Sequence, residues 1–116
     1  LGFLLMALIP FFNLPKLIVI HAFSFGGIGV ATLSMMARVS LGHTGRNVQN
    51  PPKWIAFSFL TLIAGDIVRV VLPLIDASHY LSWVLVSQIL WIAAFLIFVI
   101  IYASMLIKPR VDGQFG

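Results

Sequence analysis

The stretch HAFSFGGIGVATLSMMARVSLGHTGR, His21 to Arg46, decides how this chain is read. It is an apolar helix with one histidine near its start and a second, His43, in a Gly-bracketed loop just past its end. Polar and charged side chains are costly in lipid, so an intramembrane histidine is a functional candidate by default.

The rest of the chain agrees with a membrane setting. It is 61% hydrophobic and only 9% charged over 116 residues. A soluble domain of that size needs far more polar surface. The net charge is +4, but no basic stripe is interleaved with aromatics, so no nucleic-acid partner is implied. The absence of cysteine excludes disulfides, thiolate metal sites and covalent c-type haem attachment within this stretch. The chain begins at Leu1, inside an apolar run, and is expected to be the C-terminal region of a longer polytopic protein.

The expected fold class is all-α, a polytopic transmembrane helix bundle with three full spans plus the end of a fourth. Residues 1–12 are too short to cross ~30 Å of hydrocarbon and read as the partial span. Asn13, Leu14 and Pro15 mark a break, with Pro15 suited to the first turn of the next helix. The full spans are expected at about 16–37, 54–72 and 81–107, with Gly42 as a left-handed cap after the first and Pro73 closing the second. The tail KPRVDGQFG is expected to fray.

Positive charge sets the orientation. Arg38, Arg46 and Lys53 lie in one connection, and Lys108 and Arg110 follow the last span. These regions share a side, while the other side holds only Lys16. The 38–53 loop and the C-terminus are therefore expected to be cytoplasmic. Trp54 and Tyr102 fit one interfacial belt, and Tyr80 and Trp83 the other.

Depth along the spans, at about 1.5 Å per residue, gathers His21, Asp66, Arg69 and Gln88 into one layer of the outer leaflet. Such groups must face each other or a water-filled cavity, so a polar pocket is expected there. Asp66 and Arg69 are spaced i, i+3 and can pair. Either they neutralise each other, or Arg69 holds an anionic group such as a haem propionate while Asp66 orients a histidine. Gln88, Trp91, Phe95, Phe98 and Tyr102 form one stripe, more often a packing face than a cofactor wall. The small-residue pairs Ala22/Gly26 and Gly27/Ala31 suit close helix approach.

His21 and His43 are 22 residues apart, about 33 Å along a continuous helix. They cannot ligate one metal ion. His79, in a short turn, reads as interfacial. Met35 and Met36 offer thioether sulfur, though Met in a membrane helix usually packs. No H-E-x-x-H, P-loop, G-x-S-x-G or dinucleotide fingerprint is present, and no residue pattern identifies an enzyme.

The run from His21 to Arg46 resembles the NnrS family, whose pattern is HA-x-x-x-G-x-IG leading to M-x-R-x-SLGHTGR. The resemblance extends to Arg69 with Leu72 and Pro73, to Trp91, Ala94, Phe95, Phe98 and Tyr102, and to Pro109, Arg110, Asp112 and Gly113. It implies a haem- and copper-containing protein of the bacterial inner membrane, linked to denitrification, the nitric oxide response and nitrosative stress. It implies that His21 and His43 are candidate haem or copper ligands, and that Arg38, Arg46 and Arg69 are motif residues of the cofactor sites. The implied partners are the lipid bilayer, the N-terminal spans of the full-length protein, and nitric oxide as a ligand. A polytopic transporter with a polar outer-leaflet site is the competing expectation.

Overall fold

The computed structural model describes residues 2–12 and 15–113. Among the described residues it is helical, with no strand. Helix α1 is Gly2–Phe12. Helices α2 (Lys16–His43), α3 (Ile55–Ile75) and α4 (Ala77–Ile107) are each long and apolar enough to cross a membrane. The expected break at Asn13 and Leu14 lies outside the described residues. Pro15 stands just before α2, with φ −59° and ψ 123°, rather than inside its first turn.

Hydrophobic burial does not drive helices together in lipid, so close packing and interhelical hydrogen bonds must do so. The α3–α4 pair uses both. Ser58, Gly65, Ser87 and Ala94 are buried where these antiparallel helices meet. The Ser58 hydroxyl donates to the Ala94 carbonyl across the seam. A Cβ on Gly65 would lie 3.1 Å from a Phe25 ring carbon and 3.2 Å from Leu90 Cβ, so this position admits no side chain without displacement. Leu33, Ala37 and Leu41 of α2 pack onto Leu62, Phe98 and Tyr102 to complete the core. Helix α1 adds a smaller cluster, Leu5 with Ile18, Val19, Ala22 and Val70. The Phe3 and Phe23 rings meet edge to face at 4.8 Å.

The small-residue reading of α2 is half right. Ala22 is buried and Gly26 lies against Asp66. Gly27 is exposed, and a Cβ there would meet nothing within 4 Å. The aromatic stripe of α4 also divides. Phe98 and Tyr102 stack at 4.6 Å in the core, while Gln88 and Trp91 are exposed. Tyr102 is fully buried and does not belong to an interfacial belt.

Residues Ala22–Ile28 of α2 wind as a π-helix. This wider winding is rare and recurs at functional sites. Ser24 supports it by donating from its hydroxyl to the Ile20 carbonyl at 2.9 Å. Pro73 does not end α3; helix resumes over Leu72–Ile75 after a break at Val71. A proline lacks the N–H needed to continue the ladder and clashes with the preceding turn.

The end of α2 departs most from expectation. The helix continues to His43, and Gly42 is inside it. Gly45 is the left-handed residue, at φ +71°. The Arg46 N–H reaches the Leu41 carbonyl at 2.9 Å and the Gly45 N–H reaches that of Gly42 at 3.1 Å. That pair of bonds is a Schellman cap. The tail docks on it: the Val111 N–H donates to the Thr44 carbonyl at 3.3 Å. Arg110 holds Asp112 through Nε at 3.0 Å and Nη2 at 2.6 Å. Residues 108–113 are thus anchored rather than frayed, and 114–116 lie outside the described residues.

Gly45→Ala should destabilise the protein by at least about 1–2 kcal/mol, the cost of a left-handed non-glycine residue. The added Cβ would also come within 2.7 Å of Asp112 Cγ. Gly27→Ala should leave stability unchanged or slightly raised. Thermal unfolding of the two variants in detergent separates them; equal melting temperatures would contradict the docked cap.

Candidate functional site

His21 closes the first α-helical turns of α2, immediately before the π-helical stretch. Its ring is half-buried and faces Arg69 of α3, with Nε2 3.5 Å from Arg69 Nη2. A guanidinium only donates, so a hydrogen bond here requires His21 Nε2 as the accepting nitrogen and the ring proton on Nδ1. Arg69 Nη1 reaches α4, at 3.4 Å from Ser87 Oγ and 3.5 Å from the Val84 carbonyl. One guanidinium therefore touches all three spans. Its contacts lie at the long end of the hydrogen-bond range, and its Nε is buried with no partner.

Arg69 also lines a cavity of about 380 Å³ with Phe25, Gln88, Trp91 and Ile92. On this side Arg69 meets His21 and shares a cavity wall with Gln88. Asp66 is not part of this group. Among the described residues no Asp66–Arg69 ion pair forms, and neither ion pair present involves them. Asp66 turns instead against Gly26 of α2, and its Oδ1 is buried without a partner. It lines a separate cavity of about 310 Å³. Arg69, not Asp66, is the residue that meets His21.

The other predicted residues sit at the far end of α2. His43 is exposed on the helix's last turn, in continuous helix with His21, so the two histidines remain apart. Arg38 is exposed beside a narrow cleft formed with Ser34, Val48 and Pro51. Arg46 is half-buried, and its Nη1 has no partner. It lines a cavity of about 570 Å³ with Asn47, Asn50 and Lys53. Met35 is exposed and turned away from the bundle. Among the described residues no three His, Cys, Asp or Glu side chains converge as a metal site.

Two features escaped the sequence reading. The π-helical stretch leaves no mark on hydropathy. Spacing by seven, Ser58 to Gly65 and Ser87 to Ala94, was the available signal for the α3–α4 seam. His79 has a structural task as well. Its Nδ1 lies 2.8 Å from Asp76 Oδ2, and Trp83 Nε1 donates to the Asp76 carbonyl at 3.1 Å. The Ser78 side chain, followed by His79, holds the Asp76 carboxyl below the usual aspartate range.

The NnrS protein family profile matches residues 1–110 of the chain. The chain belongs to the NnrS family. No match was found among curated proteins or among solved structures.

The Asp76 bonds strengthen the turn at pH values above the ordinary aspartate value, about 3.9. That contribution is lost as the pH falls through the lowered value of the folded state. Ser78→Ala should move the Asp76 carboxyl titration upward, toward the ordinary value, as followed by carboxyl ¹³C NMR. An unmoved midpoint would contradict the assignment of its main cause to Ser78.

Proposed function

We propose that this chain is the C-terminal membrane region of a haem- and copper-containing protein. It acts in the bacterial response to nitric oxide and nitrosative stress, in association with denitrification. Family membership supports the setting. The observation that carries the site is the under-used Arg69 guanidinium beside His21 Nε2, well inside the α2 span.

The donor set fits one side of a haem. An unprotonated imidazole nitrogen is the form that ligates iron, and Nε2 would do so by giving up its contact with Arg69. The buried, unpartnered Arg69 Nε suits an anionic carboxylate such as a propionate. Phe25, Trp91 and Ile92 give the adjoining cavity apolar walls. His21 would hold the iron and Arg69 the anionic group; a further protein ligand has no candidate among the described residues and would come from N-terminal spans. Bound haem iron would supply a centre able to take nitric oxide, which is small and apolar enough to enter from lipid.

His43, exposed at the opposite end, would serve copper only with ligands from outside this chain. Arg46, with Nη1 unpartnered beside Lys53, and Arg38 would hold anionic groups there. The concentration of Arg38, Arg46, Lys53, Lys108 and Arg110 at that end supports a cytoplasmic location for it in the inner membrane.

The test is an optical spectrum with metal analysis of the purified full-length protein, wild type beside His21→Ala and His43→Ala. The expected result is a Soret band that His21→Ala diminishes strongly and copper that His43→Ala removes. A folded wild type with neither haem nor copper would overturn the proposal and bring the transporter reading forward.

A further inference from the structure

Asp66 has no role in the site just proposed, and its surroundings are unusual for a carboxylate. It lies within α3, eleven residues past the start of that span at Ile55 and nine before its end at Ile75. The cavity it lines is otherwise walled by Gly2, Phe3, Ala22, Phe23, Gly26, Gly27, Val30 and Ile63, none of them polar or ionisable in its side chain. The carboxyl rests on Gly26, where an added Cβ would come within 2.7 Å of Asp66 Cγ. Its Oδ1 is buried with no hydrogen-bond partner.

No side chain of a described residue lining this cavity offers a counter-charge. From α1 come Gly2 and Phe3; from α2 come Ala22, Phe23, Gly26, Gly27 and Val30. On α3 itself the nearest cation, Arg69, is turned to His21, Ser87 and Val84. An isolated carboxylate in an apolar interior is strongly disfavoured unless it is paired or takes up a proton. A metal cation is a poor answer. Calcium and magnesium each need about six oxygen ligands or more, and Asp66 is the only oxygen-bearing side chain lining this cavity.

We infer that Asp66 is a reversible proton-binding site inside the membrane, seated on Gly26 and facing the cavity beside α1, separate from the His21–Arg69 cluster. The site carries a proton at neutral pH and exchanges it through that cavity. The inference does not rest on haem or copper.

Dicyclohexylcarbodiimide provides the test, because it partitions into lipid and reacts with protonated carboxyl groups. The carboxyl oxygen adds to the carbodiimide carbon and the acid proton passes to nitrogen. Rearrangement then gives a stable N-acylurea with no leaving group. Membranes containing the full-length protein are treated across a pH series, and the modified peptides are mapped by mass spectrometry. Asp66 is expected to be labelled at neutral pH, with labelling falling as the solution becomes alkaline. Asp76 and Asp112, outside the spans, should stay unlabelled at neutral pH. Gly26→Ala should change the labelling rate several-fold by displacing the carboxyl. An Asp66 peptide unlabelled at neutral and mildly acidic pH would overturn the inference. That result would mean that a cation from another segment keeps the carboxylate ionised. The wild-type pH series decides the matter even if Asp66→Asn fails to fold.

Discussion

The Arg69 guanidinium lies inside a membrane span, and lipid offers it no hydrogen-bond partner. Everything near it follows from that constraint. A charge at such depth must be met by protein groups or by a polar cavity. α4 contributes the Val84 carbonyl and the Ser87 hydroxyl, and α2 contributes His21 Nε2. Because the guanidinium only donates, it also selects the tautomer of the histidine. The same side chain thus joins three helices, orients a candidate ligand and keeps one donor, Nε, in reserve.

The rest of the bundle is arranged so that this junction is possible. Small residues at Ser58, Gly65, Ser87 and Ala94 let α3 and α4 approach closely, and the Ser58–Ala94 bond fixes their register. Along the π-helical stretch of α2, His21 meets Arg69 and Gly26 meets Asp66. Two acid–base environments result, a cationic one around Arg69 and a lone carboxyl at Asp66. They line separate cavities. At the far end, a Schellman cap at Gly45 receives the docked 108–113 segment at the end of α2.

Hydropathy made the spans legible, since each needs about 20 apolar residues. The ends were harder. Gly42 and Gly45 are both plausible caps, and the choice between them depends on Val111 and Asp112 arriving from the far end of the chain. Pro73 signals a break but not whether helix resumes beyond it. Depth along the helices put His21 near Arg69, and Gln88 near the cavity that Arg69 lines. Which groups pair could not be read from it. An i, i+3 spacing brings Asp66 and Arg69 close on one helix, yet Gly26 draws the acid one way while Ser87 and His21 draw the base the other. Local spacing cannot register such tertiary competition. His43 and Arg46 were read as parts of an open loop, and they are parts of a helix end and its cap.

The most direct test of this account is ¹⁵N NMR of the His21 imidazole in metal-free full-length protein, wild type beside Arg69→Gln. The account predicts a ring protonated on Nδ1 alone, with an Nε2 resonance that moves when Arg69 is replaced. A ring protonated on Nε2, or a spectrum unaffected by Arg69→Gln, would show that the guanidinium does not meet the histidine and would contradict the junction on which the structure depends.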